Sequence, residues 1–250
     1  MTKTSASATE DHRIRVLGVP VDRVTMEDCL ARTGAFIQSG NPHLVITADA
    51  SGIVQAQSDP ELMRLYESAD LVTPDSAGVL WAAKRQGQPL AERVSGVDIV
   101  DHVCRLSSER GWRIFFLGAA PGIAEQAAER MRLRHPGCNI VGTRHGFFPA
   151  ESDEVVAAEV AQSTPDVLFV GMGIPRQEKF IRATEHIIGA KVSLGVGGSF
   201  DVFSGRVRRA PRVFQRLHLE WLWRLMQNPK KIGKVMLLPR FVSLVLRNRY

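Results

Sequence analysis

The residues in this chain best suited to chemistry lie where apolar runs give way to turns. Asp75 is the first of them, in Thr73-Pro74-Asp75-Ser76-Ala77-Gly78, between a short apolar run and an amphipathic stretch. Asp and Ser are favoured helix N-caps, because their side chains accept hydrogen bonds from the orphan N–H groups of the first turn. One reading therefore makes Asp75 or Ser76 a cap. The other points Asp75 into a cleft at the carboxyl ends of strands, where α/β proteins place their ligands. A carboxylate there could take a proton from a hydroxyl nucleophile.

Three glycine-bearing loops follow apolar runs further along the chain: Gly118–Gly122 (GAAPG), Gly171–Glu178 (GMGIPRQE) and Gly195–Asp201 (GVGGSFD). Glycine at a strand-to-helix turn lets backbone approach a phosphate, and a helix N-terminus adds N–H groups and a favourable dipole. Gly118, Gly171, Gly197 and Gly198 are thus candidates for a nucleotide or phosphate site. Phe200 and Asp201 could offer an aromatic face and a carboxylate to a nucleoside, or Phe200 could be core. Glu178 could simply complement a helix dipole. None of these loops matches a dinucleotide fingerprint or a P-loop. The chain has no Asp-x-Asp segment, the carboxylate pair often used to hold Mg²⁺ against a diphosphate. No metal is expected, and a departing diphosphate would have to be met by helix dipoles and Arg or Lys.

The elements that must hold these residues alternate. Strand-like runs at 14–22, 43–49, 71–73, 113–118, 139–146, 166–173 and 191–198 are separated by helical patterns, among them 25–39, 97–109, 121–134 and 152–162. Thr25 with Glu27 and Asp28, and Ser58-Asp59-Pro60-Glu61, read as helix starts. Continuous apolar runs such as Arg113–Gly118 (RIFFLG) suit strands covered on both faces. The pattern predicts an α/β domain with a mostly parallel sheet flanked by helices.

With 250 residues, 44% hydrophobic and 23% charged, the chain can bury a sizeable core without disulfides or a structural metal. Cys29, Cys104 and Cys138 lie far apart and lack metal-ligand spacing, as expected of buried thiols in a reducing compartment. The polar start, residues 1–13, reads as a disordered lead-in and not as a signal peptide. No apolar run is long enough to span a bilayer.

Charge is unevenly spread. From Gly205 onward there are twelve Lys or Arg and a single acid, Glu220, a net +11, which leaves −5 for residues 1–204. We therefore place a boundary near Gly205, with an α/β domain at 14–204 and a basic amphipathic appendage at 205–250. Val213, Leu217, Trp221 and Leu225 recur at helical spacing among Arg209, Arg212, Arg216, Arg224, Lys230 and Lys231. Residues 235–246 are apolar but short and interrupted by Pro239, which suits lying in a membrane interface; a docked helical hairpin is the alternative.

TPDSAG, AERVSGVD, FFLGAAPG, GMGIPRQEKF, GVGGSFDVFSG and RRAP with LEWLWRL together resemble the WecG/TagA/CpsF glycosyltransferases, glycosyltransferase family 26. The likeness runs from about Ile14 to Phe241. It implies a Rossmann-like fold with a basic C-terminal appendage. It also implies an inverting, metal-independent enzyme moving a sugar of the ManNAc, ManNAcA or Glc type from a UDP donor to a glycan on a polyprenyl diphosphate, in bacterial cell-surface polysaccharide synthesis. The setting would be cytoplasmic, on the inner face of the cell membrane, with an anionic lipid surface as partner; self-association is left open.

By motif, Asp75 matches the family's proposed catalytic base, Thr47 the Thr of its T-x-N segment, Arg93 the Arg of E-R-x-x-G-x-D, Gln177 the Gln of P-x-Q-E, and Arg224 the Arg of E-W-x-x-R-L. Two positions depart from the pattern. Asp49 stands where Asn is usual, and Ser76 stands where Gly usually follows the Asp. Ser76 could then supply the cap and free Asp75. Arg93 could meet a substrate phosphate or pair with Asp98 or Glu92, and Thr47 could hold a sugar hydroxyl or merely end a strand. A nucleic-acid-binding protein using the basic tail is the rival from another class, disfavoured because no recognised motif is present. An NAD(P) oxidoreductase is disfavoured by the missing fingerprint.

Overall fold

The computed structural model describes residues 12–211, 213–214, 220–227 and 232–248. The stretch read as one strand and turn at 14–22 is an antiparallel hairpin, β1 (Arg13–Val16) and β2 (Val19–Asp22), turning at Leu17 and Gly18. Asp22, almost fully buried, fastens this hairpin: it pairs with Arg13 at 2.9 Å and accepts the Val72 N–H at 2.6 Å.

Next come α1 (Met26–Ser39), β3 (His43–Ala48), α2 (Ala50–Ala56), α3 (Pro60–Ser68), β4 (Leu71–Pro74), α4 (Ala77–Arg85) and α5 (Gly96–Arg110). The second half is β5 (Ile114–Gly118), α6 (Ile123–Arg134), β6 (Ile140–Arg144), α7 (Asp153–Ala161), β7 (Val167–Gly171), α8 (Arg176–Ile188), β8 (Val192–Gly195) and α9 (Ser199–Phe203). The predicted α/β class is the observed one. β3 to β8 form one parallel sheet in the order β4-β3-β8-β7-β5-β6. Alternation along the strands splits the core in two. Leu44 and Ile46 face one layer with α2, α3, α4, α7 and α8, while Val45 faces the other with α1, α5, α6 and α9.

Many helices start as their sequences dictate. Thr25 and Asp28 form a capping box on α1, and Asp59 caps α3 with Pro60 at the first helical position. Cys104 and Cys138, distant in sequence, come together and share a side-chain hydrogen bond.

The chain beyond Gly205 is α10 (Glu220–Gln227), α11 (Ile232–Val235) and α12 (Leu237–Arg247) among the described residues. Pro239 does not interrupt this last segment: it sits in the first turn of α12, where a missing N–H is tolerated. The stripe of α12 is divided. Phe241 and Val245 are buried in the core layer that holds α2 and α4, whereas Met236, Val242 and Leu246 are exposed. No helix among the described residues is long and apolar enough to cross a membrane.

Candidate active site

Asp75 follows the last residue of β4, and its N–H donates to Ala48 O at 2.9 Å, tying it to the end of β3. Ser76 is the cap of α4: its Oγ accepts from the Val79 N–H at 3.4 Å and also from the Ala50 N–H at 3.2 Å. One hydroxyl thus serves the first turns of α2 and α4, and the half-buried Asp75 stands just before it at the end of β4. Val94 N–H donates to Pro74 O at 2.9 Å, so the segment carrying Arg93 runs beside the same strand end.

On β3, Thr47 pairs in register with Thr73, and its hydroxyl donates to Gly195 O at 3.1 Å, across to β8. Asp49 is the N-cap of α2: its Oδ1 accepts from the Gly52 N–H at 2.6 Å and the Ser51 hydroxyl at 2.8 Å. Asn caps as well as Asp does, so an amide at this position would keep the same local structure.

Gln177 is 1% exposed, and its amide works inside the protein. Its Oε1 accepts from the N–H groups of both Gly173 and Gly197, each at 3.0 Å, and its Nε2 donates to Glu178 at 2.7 Å. The residue clamps the loop after β7 to the loop after β8. The glycines at the strand ends have a matching role. Gly118 has φ 143, and a Cβ there would lie 2.5 Å from Gly171 O; a Cβ on Gly171 would lie 2.8 Å from Gly197 O. Backbone meets backbone along the row Gly118, Gly171, Gly197; no side chain fits at Gly118 or Gly171, whereas a Cβ at Gly197 would meet nothing within 4 Å. Gly198 is the N-cap of α9. Phe200 offers no face to a ligand: it is fully buried and stacked on Phe116 with centroids 4.7 Å apart. Asp201 lies in the first turn of α9, half-buried.

Arg93 and Arg209 converge on Asp98. Arg93 Nη2 lies 3.9 Å from one carboxylate oxygen, and Arg209 Nη2 donates to the other at 2.7 Å. Burial pushes the Asp98 carboxyl up, but the Ser95 hydroxyl and the two guanidinium groups outweigh it and hold the group below its ordinary value. Arg208 is anchored too, its carbonyl accepting from Trp223 Nε1 at 3.0 Å and from Gln227 Nε2 at 2.8 Å. Arg212, Arg216, Lys230 and Lys231 lie outside the described residues, as does the side chain of Arg224.

One cavity adjoins this edge of the sheet, and another lies beside α5, α6 and α9. The first, of about 570 Å³, is bordered by Ala119, Gly146, Phe147, Gly171, Met172 and Arg176. Arg176 is held there by Asp153 and lies over the rings of Phe148 and Phe180 at 5.4 and 5.7 Å. The other, about 350 Å³, gathers Arg130, Arg134, Arg208 and Arg209 over an apolar floor. Arg130 and Arg134 escaped the sequence reading because they lie in an ordinary helical pattern; Arg176 lies within the Gly171–Glu178 loop but was not singled out there. Among the described residues no group of three or more His, Cys, Asp or Glu could hold a metal ion.

Thr47, Asp49, Asp75, Arg93, Gln177 and the glycine row therefore share the carboxyl end of the sheet. Residues 14–250 match the family described as the glycosyl transferase WecG/TagA/CpsF family. The chain is 37% identical over 215 residues to the N-acetylglucosaminyldiphosphoundecaprenol N-acetyl-beta-D-mannosaminyltransferase of Bacillus spizizenii, spanning 86% of this chain and 80% of that protein. It is 33% identical over 232 residues to the enzyme of the same name from Staphylococcus aureus, spanning 92% and 91% of the two. By these matches, the chain belongs to the WecG/TagA/CpsF family of glycosyltransferases.

Proposed function

We propose that this protein transfers an N-acetylmannosamine-type sugar from a UDP donor to a polyprenyl-diphosphate-linked N-acetylglucosamine acceptor, with inversion and with Asp75 as general base. The observation that carries this is the placement of Asp75 at the strand ends, its N–H bonded to Ala48 O at the end of β3, on the edge that also holds Thr47 and Asp49. The relatives' names supply the acceptor and the sugar. A carboxylate with an ordinary pKa near 4 is a weak base for a hydroxyl. It acts late, taking the proton as oxocarbenium character develops at the anomeric carbon.

The nucleotide fits the cavity at the ends of β5 and β7, close to Arg176 and the N-terminus of α8. Three strand spacings, roughly 14 Å, separate β7 from β4 in the order β4-β3-β8-β7, a span suited to a nucleotide at one end and its sugar at the other. The diphosphate charge is then met by Arg side chains and helix N-termini, without metal. The basic tail, with Trp221, Met226, Met236, Val242 and Leu246 exposed, attaches to anionic lipid, each basic residue near the surface contributing about 1 kcal/mol.

A donor screen with a lipid-diphosphate-N-acetylglucosamine acceptor, read as UDP release, tests the activity. Asp75→Asn should keep UDP binding and lose about 10²- to 10⁴-fold in turnover; near-wild-type rates would exclude Asp75 as the base. Flotation with anionic liposomes tests the surface, and nucleic-acid binding without liposome binding would overturn that part.

A further inference from the structure

The cavity beside α5, α6 and α9 has no part in the reading above, and it shares no lining residue with the nucleotide cavity. Met131 and Phe203 belong to its apolar floor. Its rim is cationic, made by Arg130 and Arg134 of α6 and by Arg208 and Arg209 of the segment that follows α9. Four like charges gathered at one rim repel each other unless anions lie among them. Two of the four have such a partner: Arg209 donates to Asp98 at 2.7 Å, and Arg134 lies 3.2 Å from Asp101. Arg130 and Arg208 form no ion pair among the described residues, and neither do Glu125 and Glu129, the acids of α6. The rim therefore keeps two positive charges that no neighbouring carboxylate compensates.

The fold holds both of these arginines in place. Gly205 has φ 77, and a Cβ on it would overlap the Arg130 guanidinium, which lies against bare backbone where the chain leaves α9. The backbone of Arg208 is fixed by α10: Gln227 accepts from its N–H at 2.8 Å, and Trp223 and Gln227 donate to its carbonyl at 3.0 and 2.8 Å. Guanidinium groups present forked N–H donors that match phosphate oxygens, and they are weakly hydrated. A bare phosphate would meet the arginines and leave the apolar floor uncovered, whereas a phosphate carried on a lipid covers both. Leu133, one turn from Arg130 on α6, is 76% exposed, an apolar side chain beside cationic ones, as suits the interface of a bilayer.

We propose that this cavity is a headgroup site: Arg130 and Arg208 take the phosphate of an anionic membrane phospholipid, and the glycerol end of the lipid covers Met131 and Phe203. This rests on the reading that the protein attaches to anionic lipid, and it deepens that reading, because α6 belongs to the α/β domain and not to the tail. A headgroup bound there fixes how the α/β domain sits on the membrane. Since α10 holds Arg208, it also couples headgroup binding to the docking of α10.

The test compares wild type, R130Q/R208Q and R64Q/R85Q, the last a charge-matched control on α3 and α4, across the sheet from α6. The four arginines replaced are all exposed, so both variants should melt with the wild type. Binding is read by flotation with phosphatidylcholine vesicles, with and without phosphatidylglycerol. A second arm reads melting in sodium phosphate against sodium chloride of equal ionic strength. Each arginine at an anionic surface is worth about fivefold in partitioning, so R130Q/R208Q should bind phosphatidylglycerol vesicles roughly 25-fold more weakly. The control should change by less than about twofold. Equal losses in the two double variants overturn the proposal. Phosphate that raises the melting temperature through Arg130 and Arg208, with vesicle binding unchanged, makes the ligand a soluble anion and overturns the lipid assignment. Binding that requires polyprenyl diphosphate in the vesicles gives the cavity to the acceptor and overturns it too. If the wild type does not float with anionic vesicles, the membrane reading itself fails; if it floats and R130Q/R208Q floats equally, only the role of this cavity fails.

Discussion

Replacing Gln177 separates scaffold from chemistry at this site. In Gln177→Ala the N–H groups of Gly173 and Gly197 both lose this acceptor, and Glu178, 1% exposed, loses a donor. The two glycine N–H groups are only partly buried, so each costs near the low end of about 1–3 kcal/mol, and the buried carboxylate adds about as much. With the lost packing of one buried methylene at about 0.8 kcal/mol, the sum is about 4 kcal/mol. For a domain of this size that corresponds to a melting temperature lower by roughly 10–15 °C. Gln177→Glu keeps the shape but sets a second carboxyl against Glu178, at a contact of 2.7 Å in the wild type. One of the pair must then be protonated, with a raised folded-state pKa. The destabilisation is therefore largest at high pH and eases as pH falls through that pKa. Urea or thermal unfolding of both variants at pH 5 and pH 8 reads this directly. A Gln177→Ala protein melting within about 2 °C of wild type, or a Gln177→Glu deficit independent of pH, would refute the clamp.

Three further outcomes follow from the same geometry. Asp49→Ala removes the cap of α2 and should cost about 1 kcal/mol in urea unfolding, whereas Asp49→Asn should stay within a few tenths because Asn caps equally well; equal losses would contradict the capping geometry. Gly118→Ala puts a Cβ 2.5 Å from Gly171 O at a φ of 143, and a neighbour that is itself backbone cannot yield, so we expect a loss of about 3 kcal/mol or more and weaker UDP binding by calorimetry. Asp98 is held below its ordinary pKa, so its contribution to stability is complete above the unfolded carboxylate pKa near 3.9 and is lost as pH falls through the lower folded value. The urea midpoints of wild type and Asp98→Asn should therefore differ at pH 6 and converge only once pH has fallen below the lowered folded-state pKa of Asp98; a constant gap would argue against the ion pair with Arg209.

What the sequence revealed and what it hid divide along physical lines. Strands covered on both faces announce themselves as continuous apolar runs, and Ser76 as a cap could be argued from residue type alone. The hairpin at 13–22 was hidden because its turn is Leu17-Gly18, without the usual Asn or Asp. Gln177 and Glu178 read as polar residues opening a helix, and nothing local says that both are buried between two loops. Phe200 carried two readings until its stacking on Phe116 assigned it to the core. Family likeness found the positions of Thr47, Asp75 and Arg93, but it could not say that Asp49 caps a helix or that Arg93 shares Asp98 with Arg209.

The strand order carries a consequence for how the protein is made. β8 lies between β3 and β7, so until residue 195 has been synthesised the sheet exists as two separate halves, β3 with β4 and β5 to β7, each with an unpaired inner edge. Pairings across that much chain are slow to form, and the open edges invite association with other chains meanwhile. The acidic site matures at the same moment, because the acceptor of the Thr47 hydroxyl is Gly195 O and one arm of the Gln177 clamp is Gly197. A nascent chain stopped before β8 would hold Asp75 on half a sheet, and the protein becomes competent only when its last strand closes the gap.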